Sequence, residues 1–117
     1  MKHRELRDRT KSFALRIIKV YCSLPKSTEA QVLGKQALRS GTSVAANYRE
    51  ASRARSDSEL VAKLGIVEQE LDETLLWLEL LVESGIVPEG KMSNLRQEAD
   101  ELLRMIVAGI KTAKNRL

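Results

Sequence analysis

A chain of 117 residues, 43% hydrophobic and 31% charged, is long enough to bury one core and too apolar to stay disordered. It has no run of about 18 apolar residues, so no membrane-spanning helix is expected, and only two prolines and six glycines interrupt it. The net charge of +4 hides a split: residues 1–55 hold 13 Lys/Arg against 4 Asp/Glu, whereas residues 56–117 hold 7 against 12.

The first helix is expected over residues 5–24. Leu6, Phe13, Ala14, Ile17, Val20, Tyr21 and Leu24 recur at spacings of three and four, which places them on one face. Pro25 ends it, because proline disfavours the helical conformation at the residue before it. Thr28-Glu29-Ala30-Gln31 has the spacing of a capping box, with Thr28 as N-cap, and opens a second helix over 29–54. Leu33, Ala37, Gly41, Val44, Tyr48 and Ala51 form its core stripe. Gln36, Ser40, Ser43, Asn47 and Glu50 follow a second, polar line, and Lys35, Arg39, Arg49 and Arg53 lie beyond that.

Ser56-Asp57-Ser58-Glu59 is another capping box and opens a third helix over 57–84, with a seam of Leu60, Leu64, Val67, Leu71, Leu75, Leu78 and Val82. Gly85 is the expected residue past its end. Pro88 suits the start of a fourth helix over 89–115, whose apolar positions are Leu95, Ala99, Leu102, Leu103, Ile106, Val107, Ile110 and Leu117. Short connections make neighbours antiparallel. The expected fold is therefore all-α, a single up-down-up-down four-helix bundle spanning residues 1–117.

Two features exceed what a lone bundle needs. Ser40, Ser43 and Asn47 are poorer helix formers than the Glu, Lys and Gln of an ordinary solvent face. Together with Gln36 and Glu50 they are expected to form a buried or interfacial polar network. On the third helix, Ile66, Trp77 and Leu80, widened by Ala62 and Leu76, lie off the seam as surplus apolar surface. That patch is expected to be covered by another subunit or a partner, the alternative being that Trp77 flanks the core.

No catalytic constellation is present. His3 is the only histidine, which rules out a di-iron bundle site, and Cys22 has no histidine to act as its base. The acidic residues Glu68, Glu70, Asp72 and Glu73 read as a solvated face. Gly34, Gly41 and Gly65 are isolated within helical pattern and form no phosphate-binding loop. No cofactor, metal or enzymatic activity is expected. Met1-Lys2-His3-Arg4-Glu5 contains no signal-peptide core, and Cys22 lacks an internal disulfide partner, so a reduced cytoplasmic location is expected. The basic first half suits RNA or DNA, with Lys35, Arg39, Arg49, Arg53 and Arg55 as the expected contacts. With four aromatics in the chain, binding of this kind would be directed at the backbone rather than at stacked bases.

The stretch from Gly34 through Ser40-Gly41-Thr42-Ser43-Val44-Ala45-Ala46-Asn47-Tyr48-Arg49-Glu50 to Ala51 resembles the signature of the bacterial four-helix bundle proteins first recognised in intervening sequences of 23S ribosomal RNA genes. Arg53-Ala54-Arg55-Ser56, Glu59-Leu60 and Asp72 through Leu81 continue the likeness, as do Phe13 through Lys19 and Leu24-Pro25-Lys26, over roughly residues 10–115. Ala51, Leu60 and the pair Gln69-Glu70 depart from what many members carry, which suggests a subgroup. The resemblance implies a four-helix fold, a homopentameric ring and no established enzymatic activity. It also implies likeness in architecture to the accessory proteins of diversity-generating retroelements, which engage nucleic acid and a reverse transcriptase. Two functions of different class follow: a non-enzymatic, homo-oligomeric nucleic-acid-binding protein, or a scaffold for a protein partner whose charges serve subunit assembly alone.

Overall fold

The computed structural model describes the backbone of residues 3–117 and the side chains from Glu5 onward. Four helices follow one another: α1 (His3–Ser23), α2 (Thr28–Ala51), α3 (Asp57–Glu83) and α4 (Glu89–Lys114). Each packs on its neighbours in sequence and α1 closes onto α4, while the diagonal pairs α1–α3 and α2–α4 do not meet. The result is an antiparallel bundle measuring 47 × 20 × 19 Å. Phe13, Ile17, Val44, Tyr48, Leu71, Leu78, Leu102 and Ile106 fill its core.

The helix ends follow local chemistry. Ser27, one residue before the expected Thr28, is the N-cap of α2: its backbone is extended and its hydroxyl accepts from the Ala30 amide at 3.4 Å. That shift moves Gln31 one position past the reach of a reciprocal bond. Gln31 instead donates from Nε2 to the Pro25 carbonyl at 2.9 Å and accepts from the Tyr21 hydroxyl at 3.1 Å, tying the connection to α1. Ser56 caps α3 as expected, accepting from the Glu59 amide at 3.1 Å. α2 ends at Ala51, not Ala54, because Arg53 and Ala54 donate three residues back, to Glu50 and Ala51, in a tightened last turn that precedes the extended Ser56. Past α3, Gly85 (φ +82°) takes the left-handed position, with Ile86 N–H donating to the Leu81 carbonyl and Gly85 N–H to that of Val82.

Two apolar assignments on the last helix do not hold. Val107 and the terminal Leu117 are 38% and 71% exposed, whereas Met92 and Ala113 are fully buried in their stead. The α1–α4 seam is closed by Arg9, which donates from Nε to Glu98 at 3.1 Å, from Nη2 to the other Glu98 oxygen at 2.6 Å, and from Nη2 to Glu101 at 3.3 Å. The guanidinium fork matches the carboxylate, and this hydrogen bonding raises the Arg9 pKa further.

Two stability tests arise here. A Cβ added at Gly65 would meet nothing within 4 Å, so Gly65→Ala is expected to stabilise the chain by about 0.8–1 kcal/mol through helix propensity, read by urea denaturation in dilute solution. Burial of Tyr48 pushes its phenol pKa above the ordinary value. Between those two values the unfolded chain binds fewer protons, so stability falls as pH rises past about 10. Melting curves above neutrality should show that decline, with a shallower slope in Tyr48→Phe.

Candidate nucleic-acid interface

Arg49 lies in the last turn of α2 and Arg53 in the tightened turn just past its end, where its amide donates to the Glu50 carbonyl at 3.1 Å. They extend over a groove between α1 and α2 of about 500 Å³. Arg7 and Lys11, also four apart, face them from α1, and Ala45 and Ala46 form the floor. None of the four has an ion-pair partner among the described residues. Glu50 is the one carboxylate at the rim, and it accepts from Lys63 Nζ of α3 at 2.9 Å. That bond raises the Lys63 pKa, keeping a fifth cation beside the groove.

The other expected cations lie elsewhere. Arg39 donates to Gln36 on its own helix at 3.2 Å and reaches α3, where it donates to Glu70 at 3.4 Å and pairs with Glu73. Lys35 is exposed toward the other end of α2, and Arg55 lines a shallow depression with Asp57 and Leu60 where α2 passes into α3. The expected track therefore splits, and only Arg49 and Arg53 share one site. Arg7 and Lys11 completed that site without being singled out. Their signal was the i,i+4 spacing of two cations, matched by Arg49 and Arg53, but nothing in a sequence says which helix faces close across a seam.

Of the polar line of α2, Ser40 is the member with a buried partner on another helix, while Gln36 is half-buried and Glu50 exposed. Ser40 and Thr74 are fully buried, and their hydroxyl oxygens lie 2.7 Å apart across the α2–α3 seam. Thr74 also has the Glu70 carbonyl at 2.7 Å and Ser40 the Ala37 carbonyl at 3.4 Å. Whichever hydroxyl donates across the seam, the other donates to its own helix, so no proton is orphaned. Asn47 donates to the Ser43 carbonyl at 2.9 Å, and both residues are half-buried.

The family model for the 23S rRNA-intervening sequence protein matches residues 2–108. This chain belongs to the 23S rRNA-intervening sequence protein family. A crystal structure of a protein of unknown function from the S23 ribosomal protein family of Bacteroides thetaiotaomicron superposes with a TM-score of 0.88. The two are 35% identical over 95% of this chain and 99% of that one. No curated protein matches.

As a member of the 23S rRNA-intervening sequence protein family, the chain shows its surplus apolar surface on α3. Ile66, Leu76 and Leu80 are exposed, while Trp77 is half-buried against the core, its indole N–H enclosed without an acceptor among the described residues. Among the described residues no three His, Cys, Asp or Glu side chains converge in a way that could hold a metal ion, and no helix is long and apolar enough to cross a membrane. The side chain of His3 lies outside the described residues.

Proposed function

We propose that this member of the 23S rRNA-intervening sequence protein family is a non-enzymatic, homo-oligomeric protein that binds the phosphate backbone of RNA or DNA in the α1–α2 groove. One observation carries the reading: Arg7, Lys11, Arg49 and Arg53 surround a groove of about 500 Å³ floored by alanines. Four cations, three on two packed helices and Arg53 in the turn that follows α2, suit a polyanion, and the absence of an aromatic among the groove's lining residues suits contact with phosphates rather than stacking on bases. The absence of a nucleophile–base pair in the sequence supports a binding role over a catalytic one. A reduced, cytoplasmic setting is consistent with Cys22, which is free and exposed.

The test is a titration of labelled duplex and single-stranded RNA and DNA across salt concentrations. Four phosphate contacts predict that log K falls with log[salt] at a slope of about 3–4 on a duplex. No binding at low salt sinks the reading. The second reading is a protein scaffold whose charges serve assembly alone. It predicts that reversing Arg49 and Arg53 disrupts assembly with no nucleic-acid binding to lose.

A further inference from the structure

The buried seam of α4 runs through Met92, Leu95, Ala99, Leu102, Ile106 and Ala113. Its spacing alternates three and four, and the one position missing from that series is Gly109, which is half-buried. Glycine is the poorest helix former apart from proline, so this seam position is filled against propensity by a residue with no side chain. The residues around it are small too: Ala108 precedes it and Ala113 closes the series. The space that a large seam residue would take is a cavity of about 410 Å³ between the end of α2, the start of α3 and the end of α4. Tyr48 and Leu64, both almost fully buried, line it together with Leu60 and Gly109.

The charge of the cavity is one-sided. Arg116 is the only charged residue among the described residues that line it, and its side chain is half-exposed, which places it at the mouth. Its Nε and Nη2 both donate to a single oxygen of Asp57, at 3.0 and 2.8 Å. Asp57 so fixes the guanidinium, while Nη1 keeps its protons for another acceptor, with none bound among the described residues. Burial holds the Tyr48 phenol in its neutral form. The Ser52 and Thr112 hydroxyls, which also line the cavity, donate to the carbonyls of Arg49 and Ala108 at 2.8 and 3.0 Å.

We propose that this cavity binds a small amphipathic carboxylate, its apolar body against Tyr48, Leu60, Leu64 and Gly109 and its anionic head on Arg116. The volume lies within the range of small-molecule sites. The apolar body leaves water, whereas the head stays at a half-exposed mouth and keeps part of its hydration. A cationic head on the same body meets a like charge there. The site is separate from the α1–α2 groove, with which it shares no lining residue, so it stands or falls apart from nucleic-acid binding.

The probe is octanoate, titrated into the full chain and followed by amide shifts in two-dimensional NMR, with acetate, octylamine and 1-octanol as comparisons. Octanoate should saturate with a Kd below about 1 mM, its largest shifts around Leu64, Gly109 and Thr112, and acetate should not saturate over the same range. Octylamine should bind at least about tenfold more weakly than octanoate. Arg116→Gln should weaken octanoate about tenfold and leave 1-octanol within about twofold, which separates recognition of the head from any structural effect of losing the Asp57 contact. Gly109→Leu should abolish octanoate binding by filling the cavity. Should that variant lose its helical signal in circular dichroism, Gly109→Ala replaces it, with a several-fold weakening expected. Octanoate that fails to saturate, shifts centred elsewhere on the chain, octylamine bound as tightly as octanoate, or a folded Gly109 variant that binds octanoate as before overturns the proposal.

Discussion

Arg49→Glu with Arg53→Glu is expected to weaken binding of duplex RNA or DNA by about a hundredfold near 100 mM salt and to lower the salt slope by about 2. The reversal does more than delete two contacts, because it places two carboxylates where Arg7 and Lys11 converge and gives those cations local partners in place of phosphate. Arg7→Glu with Lys11→Glu should give the same loss from the other wall. That equivalence tests the groove itself, since the two pairs lie on opposite walls and are far apart in sequence. Lys35→Glu and Arg55→Glu, outside the groove, should change affinity only a few-fold through net charge. Arg39→Glu should leave the salt slope unaltered and act on stability, because it sets a third carboxylate against Glu70 and Glu73. Fluorescence anisotropy at several salt concentrations, with thermal melts of every variant, reads all of these.

Gly41→Ala should destabilise the bundle by up to about 2 kcal/mol, opposite in sign to Gly65→Ala although both glycines lie inside helices. A Cβ at Gly41 would fall 2.8 Å from Ile17 Cγ1 and 3.0 Å from its Cγ2. Ile17 is fully buried and β-branched, so it has neither room nor an easy second rotamer. Overpacking of this kind costs about 1–3 kcal/mol, and the helix propensity of alanine returns about 1. Gly34→Ala should cost less. Its first neighbour is Leu24 Cδ1, the far end of a flexible side chain that can turn aside. Urea midpoints of the three alanine variants rank these positions directly.

The helices were legible because their signals are local. Apolar residues at three- and four-residue spacing marked each core face. Ser56 before Glu59, and Gly85 past the end of α3, marked real termini. The α2 cap moved from Thr28 to Ser27 because serine and threonine are near-equal caps in adjacent positions, and backbone geometry chose between them. The polar line of α2 was legible as a departure from propensity, yet its partner was not. Thr74 reads as an ordinary helix residue until Ser40 lies 2.7 Å from it. The candidate site was half visible for the same reason. Arg49 and Arg53 stood out by number and spacing, whereas Arg7 and Lys11 join them only through how α1 lies against α2. Gly41 had read as an isolated glycine within a helix, and its role is to let that approach happen.

The groove has a thermodynamic meaning apart from any ligand's identity. Close packing of α1 on α2 holds four like charges together that the unfolded chain keeps apart, so folding does work against their repulsion. A polyanion in the groove relieves that repulsion only in the folded state, and ligand at a hundred times its Kd adds about 2.7 kcal/mol to stability. Under the proposed function, binding and folding are linked equilibria. The lifetime of the folded chain then becomes a function of the polyanion concentration around it.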